Sequence, residues 1–212
     1  MKSKNMIRVD CYFDYISPFS YLLHEQLHRL PENTSVNYIP VLFAGLLKHW
    51  GTIGPVDIAA KKTYTYRHCT WLAQQLDIPF RMPDSHPFIP LPYLRLTIAK
   101  SNDEELITQI FRAIWVSGHD PATDAGRQAI WNEIDVTDAD NLSTSTKVKQ
   151  ALFDNTRQAI EHGVFGVPTL IVDGELFWGL DSMNFLSDYL SDRDLFERSE
   201  MKRLENISSG ID

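Results

Sequence analysis

The stretch that most constrains this chain is a short apolar strand that runs straight into a helix start. Ile7 to Phe13 is apolar and strand-like, and Ser17-Pro18-Phe19-Ser20 follows three residues later. Serine is a good N-cap, and proline is at home in the first helical position because the amide it lacks would be unpaired there anyway. A strand that feeds a helix in this way leaves backbone N–H groups converging on one point. Such a point favours an anion, whether carboxylate, phosphate or thiolate, although a capped helix without any ligand carries the same residues.

The remaining elements follow in order. Residues 18–30 read as one helix with Tyr21, Leu22, Leu27 and Leu30 on its apolar side, broken by Pro31. Val36 to Val41 alternates and reads as a second strand, parallel to the first through a right-handed crossover. From about Phe43 to Gly163 almost no strand signal remains. Helices are predicted over 57–76, 94–100, 103–117, 123–134 and 143–162, with a proline-rich loop over 81–92. Strands return at Thr169–Val172 and Glu175–Trp178, joined by the turn pair Asp173-Gly174, and a last helix covers about 182–190.

Two parallel strands, a helical block, an antiparallel hairpin and a closing helix make the α/β thioredoxin layout. It is a mixed four-stranded sheet with a large all-helical insertion after strand two. Residues 1–43 and 163–192 are expected to form the thioredoxin-like unit, 44–162 the insertion, and 193–212 a charged, partly helical tail. In that layout Pro168 opens the third strand, facing the first helix N-terminus. A cis Val167–Pro168 bond is predicted, with Val167 offering its backbone to an extended ligand in the manner of an added strand.

Composition removes several alternatives. The 212 residues carry a net charge of −8, with no Lys/Arg cluster, which argues against nucleic acid as a partner. No apolar run is long enough for a signal peptide or a membrane helix, so a cytoplasmic protein is expected. The two cysteines, Cys11 and Cys69, are far apart and outside any Cys-x-x-Cys, so a protein-borne dithiol redox site is not expected. The seven histidines show no metal spacing.

Read together, the motifs resemble a known family. Tyr12-Phe-Asp-Tyr-Ile-Ser-Pro-Phe-Ser-Tyr-Leu22 resembles the opening of the 2-hydroxychromene-2-carboxylate isomerases and kappa-class glutathione transferases, both DsbA-like members of the thioredoxin superfamily. Gly163-Val-Phe-Gly-Val-Pro-Thr-Leu170 and Phe177-Trp-Gly-Leu-Asp-Ser-Met183 are similar to their close. Gly51 to Pro55, Lys61 with Tyr64, Leu76 to Phe80 and Ala113 to Gly118 fall between in the family's order, so the likeness spans about residues 7–190.

The resemblance implies a glutathione site and a homodimer acting on a small molecule, with no metal. Ser17 would stand where the disulfide enzymes of the superfamily keep their nucleophilic cysteine, and Ser20 where they keep the second. A hydroxyl cannot form a disulfide, but it can donate to a bound thiolate, so the nucleophile would arrive with the cofactor. Val167 and Pro168 would meet the cysteinyl part, and Leu180 and Asp181 the γ-glutamyl end, although Asp181 alone would also pass for a helix cap. Phe19, Thr52, Lys61, Tyr64 and Trp115 would face the substrate, although Lys61 alone reads as a solvated lysine, and Tyr64 and Trp115 as core. The implied reaction is reversible thiolate addition and isomerisation. A kappa-type transferase and a catalytically degenerate binding protein are the alternatives. Five family positions differ: Thr52 and Leu91 replace Asn, His68 and Trp71 replace Asp and Arg, and Ser182 replaces Arg, which leaves His68 and His86 as candidate site-facing residues.

Overall fold

The computed structural model describes residues 6–204 and 206–210. Strand β1 (Ile7–Phe13) is central, and the sheet order is β2-β1-β3-β4 with β2 (Thr34–Pro40), β3 (Thr169–Val172) and β4 (Glu175–Trp178). β1 pairs in parallel with β2, from Ile7 opposite Thr34 to Phe13 opposite Pro40. It pairs antiparallel with β3, which closes the β3–β4 hairpin. This is the predicted thioredoxin-like sheet.

A central strand is buried on both faces, and the residues of β1 show it. Val9, Cys11 and Phe13 enter the larger core, while Tyr12 points the other way into a second cluster with Val41, Leu46, Val164 and Val167. The larger core runs without a break from the sheet into the helical segment, joining Phe13 and Tyr15 to Tyr93, Phe111, Trp115 and Trp131. The helices that carry those side chains are α4 (Leu91–Ala99), α5 (Glu104–Trp115) and α6 (Asp124–Glu133). Asp103 and Thr123 cap α5 and α6 by accepting from Leu106 and Gly126 N–H groups.

The predicted elements are present, but several boundaries differ. The helix expected over 18–30 is α1 (Pro18–His24) followed by a 3-10 turn at Leu27–Arg29. Pro31 holds Leu30 extended and tightens the turn before it. Helix α2 (Phe43–Trp50) was not predicted. It is a single short element with Gly45 in its interior; its signals are Phe43, Leu46, Leu47 and Trp50 at helical spacing and Gly51, left-handed just past its end. The helix expected over 57–76 is α3 (Ala59–Gln75). The long helix expected over 143–162 is α8 (Thr146–Glu161), capped by extended Ser145, and a short helix that was not predicted, α7 (Ala139–Thr144), precedes it. After α9 (Met183–Ser191) the tail does not leave the body. Leu195 is buried and Phe196 packs against Phe185 and Tyr189, before α10 (Ser199–Leu204). No helix among the described residues is long and apolar enough to cross a membrane.

Candidate functional site

Ser17 sits at the end of β1 and caps α1. Its Oγ accepts from Ser20 N–H at 3.2 Å. Its own proton has only a long contact, 3.4 Å to the carbonyl of Val167. The oxygen is held while the proton is weakly committed, so a better acceptor can take it. The Val167–Pro168 bond is cis, as expected. The Val167 N–H has no intramolecular partner among the described residues. Ser17, with a short helix behind it, and Val167 therefore face each other with one O–H and one N–H to give.

Two clefts meet at this point, sharing Phe19, Val167 and Trp178 in their walls. The first, about 370 Å³, contains Ser17 itself and is walled by α2 through Phe43, Leu47 and Trp50, and by Ile53, Val56 and Phe165. Thr52 and Lys61 also line it, and no ion pair among the described residues engages Lys61. The walls are apolar, and Lys61 is their single strong cation. The second cleft, about 340 Å³, contains His68, Pro168, Leu180 and Asp181. Phe19, Thr52 and Lys61 thus reach the same cavity as Ser17. Tyr64 does not line either cleft; it lies exposed on α3 with its ring 5.6 Å from that of His68.

Trp115 is not at the site, contrary to the expectation that it faces a substrate. It is fully buried, stacked on Phe80 with ring centroids 5.8 Å apart, and its Nε1 donates to Tyr15 O. The whole apolar face of α5 is turned into the core, and Trp115 goes with it. Leu91 and Trp71, two of the positions where polar family residues are replaced, also lie outside both clefts.

Asp181 is likewise not a cap. The segment Leu180–Ser182 is a 3-10 turn in which its carboxylate makes no capping bond, and it is exposed. Met183 N–H closes that turn on Leu180 O, and Ser182 N–H bonds Gly179 O, leaving the Leu180 and Asp181 N–H groups without a partner in the turn. Two free N–H groups beside a free carboxylate suit a zwitterionic amino-acid end. Ser182, where the family has Arg, spends its hydroxyl on Gly179 O at 2.7 Å. Gly179 has φ +87° and ψ 163°, and a Cβ there would fall 2.6 Å from Asp181 Oδ1. Gly179→Ala is expected to displace that carboxylate and to lower unfolding free energy by roughly 1–3 kcal/mol in urea titrations.

Two residues support Ser17 from behind. His86 Nε2 lies 2.8 Å from Ile16 O, and His86 Nδ1 lies 2.8 Å from Tyr66 Oη. A carbonyl only accepts, so Nε2 carries the proton. Burial lowers the pKa of His86, against the pull of the Ile16 carbonyl, and Tyr66 Oη lies between His86 Nδ1 and the His86 carbonyl, to which it donates at 2.9 Å. His86 lines the first cleft, preceding a second cis proline, Pro87. Asp14 was singled out by no sequence signal of its own. Its carboxyl is fully buried, accepts from Ile16 N–H at 3.1 Å on one oxygen and from Phe43 N–H at 2.9 Å on the other. Asp14 therefore ties the Ser17 turn to the start of α2. Burial pushes its pKa up to about 7, against the pull of those two bonds.

The cysteines stay out of this chemistry. Both are free and buried, and burial pushes both thiols up to about 12. Among the described residues no cluster of His, Cys, Asp or Glu could hold a metal.

Comparisons with known proteins give the family and the fold. A family model described as DSBA-like thioredoxin domain matches residues 8–191. The chain is 30% identical over 206 residues to glutathione S-transferase kappa 2 of Caenorhabditis elegans, covering 87% of this chain and 92% of that protein. It is also 30% identical over 193 residues to 2-hydroxychromene-2-carboxylate isomerase of Sphingobium xenophagum, covering 87% and 98%. A solved structure of a 2-hydroxychromene-2-carboxylate isomerase superposes with a TM-score of 0.75 at 24% identity, over 92% of this chain and 99% of the other. With a serine cap where a disulfide enzyme would need a thiol, and with near-full-length likeness to two kinds of enzyme, this chain belongs to the DsbA-like thioredoxin domain family, in the part of it that holds the 2-hydroxychromene-2-carboxylate isomerases and kappa glutathione transferases.

Proposed function

We propose that the protein is a glutathione-dependent isomerase of the 2-hydroxychromene-2-carboxylate isomerase type, working in a reducing compartment such as the cytoplasm. The observation that carries the reading is the weakly committed Ser17 proton beside the unpaired Val167 N–H, where the two clefts meet. Bound glutathione supplies the thiolate that adds reversibly to an unsaturated substrate. The protein does the rest. Ser17 donates to the sulfur and lowers its proton affinity, with a modest contribution from the short α1. Val167 aligns the peptide part through its free backbone groups. The Leu180 and Asp181 N–H groups take the γ-glutamyl carboxylate, and the Asp181 carboxylate takes its ammonium. The apolar Ser17 cleft keeps water from the reacting carbon, and Lys61 at its wall meets a substrate carboxylate.

Calorimetry with glutathione tests the binding half of this. Saturable binding is expected, and Asp181→Asn is expected to weaken it roughly tenfold by removing a charge-assisted contact. Millimolar glutathione that neither binds nor raises the unfolding temperature would remove the reading.

The equal likeness to a kappa transferase supports a second reading, in which the thiol is consumed. Free-thiol titration during turnover separates them. The isomerase returns one thiol per cycle, whereas the transferase loses one per product.

A further inference from the structure

A second groove lies away from both clefts, on the other side of α2. It is about 730 Å³ and runs between α2, α4 and α8. Its floor is apolar, made by Leu42, Leu91, Leu152 and Ile160, and Phe153 stands on it 62% exposed. An aromatic side chain so exposed on a helix that packs its other face well has no structural task of its own.

Its charges are one-sided. Lys48, Arg95 and Lys149 line the groove, and no ion pair or hydrogen bond among the described residues engages any of the three. The one acid there, Glu161, is held by Arg157 at 2.6 Å. In a chain of net charge −8, three unpartnered cations around one apolar floor are a local reversal of sign. Arg95 is the most telling of them. Its Nε is buried and has no hydrogen-bond partner, although buried donors are nearly always paired. Arg95 also lines the groove with no acidic partner among the described residues, and a planar guanidinium so placed is a donor set for a planar anion.

The groove is held by contacts independent of the Ser17 clefts. Leu42 N–H donates to Thr156 Oγ1 at 3.0 Å, and Asn155 Nδ2 donates to Pro40 O at 3.1 Å, which ties α8 to the end of β2. Helix α2 presents Leu42 and Lys48 to the groove and Phe43, Leu47 and Trp50 to the Ser17 cleft.

We propose that this groove is a binding site for a small amphipathic anion, whose apolar body covers Phe153 and Leu152 and whose carboxylate pairs with Arg95, with Lys48 and Lys149 at the rim. The site does not depend on the chemistry at Ser17. Decanoate is the probe, decyltrimethylammonium the charge-reversed control, and the readouts are calorimetry and amide chemical-shift mapping on the full chain.

Decanoate is expected to bind at one site, with shifts clustered on α4 and α8. Arg95→Gln is expected to weaken it about tenfold or more, since a charge-assisted bond is lost. Lys149→Gln should weaken it less, and Phe153→Ser should weaken it without changing the charge. Should Arg95→Gln fail to fold, the paired variant Lys48→Gln/Lys149→Gln carries the same test. Equal binding of decyltrimethylammonium, shifts clustered at Ser17 instead, or no binding at millimolar decanoate would each overturn the proposal. So would a protein that sediments as a dimer and becomes a monomer in Phe153→Ser, because the face would then be an interface between copies.

Discussion

Ser17→Ala is expected to lower kcat/KM for the glutathione-dependent reaction by roughly tenfold to a hundredfold, the size of one lost hydrogen bond to a charged acceptor. The pH profile separates this from simple damage. With Ser17 in place the bound thiol ionises below its free value, so the rate levels off near neutrality. Without it the rate should keep rising towards pH 9, as an ordinary thiol does. The variant also loses the cap bond to Ser20 N–H, so a fall of about 1 kcal/mol in unfolding free energy should accompany it. Equal pH profiles for the two proteins would show that the hydroxyl does not act on the sulfur.

Asp14→Asn is expected to change how stability depends on pH between about 4 and 8. The folded protein holds the Asp14 proton more tightly than the unfolded chain does, with a pKa of about 7 against 3.8. A group raised on folding stabilises fully below its unfolded pKa, and that stabilisation is lost as pH rises through the folded one. The window is therefore about pH 4 to 7, and the loss is on the order of 4 kcal/mol. Urea unfolding of both proteins at pH 4.5, 6 and 8 reads this as a difference. At the acid end the aspartate protein should be the more stable, since an amide nitrogen set against the Ile16 or Phe43 N–H loses one of two bonds. By pH 8 that advantage should shrink or reverse, because the aspartate protein then carries a buried charge. A stability difference that stays constant from pH 4.5 to 8 would mean that Asp14 does not titrate in this range.

The two predictions concern neighbouring residues that were not equally legible. Ser17 stands in a local pattern, since strand, cap, proline and helix lie within a dozen residues and each acts on its neighbours in sequence. The β3–β4 hairpin was legible for the same reason. Asp173 and Gly174 both have positive φ, 53° and 90°, the turn that an Asp-Gly pair favours. Asp14 sits in the same motif, yet nothing nearby in sequence shows that Phe43 N–H, 29 residues on, will close over it.

The order and type of most elements (α2 and α7 apart), the sheet topology and the placing of Val167–Pro168 opposite Ser17 followed from the sequence, because short-range backbone preferences and hydrophobic alternation settle them. Which side chains face the clefts did not. Lys61 and Trp115 both sit on helices of the inserted segment, and periodicity alone would allow either to face a ligand. Packing of that segment against Phe13, Tyr15 and Phe111 of the shared core turned Trp115 inward and left Lys61 at the cleft wall. The short α2, which forms that wall and the groove behind it, carries Phe43, Leu46, Leu47 and Trp50 at helical spacing, but its place is set from far along the chain, by Asp14 at one end and Thr156 along its side. Local chemistry wrote the frame into the sequence, and long-range burial decided which residues the site contains.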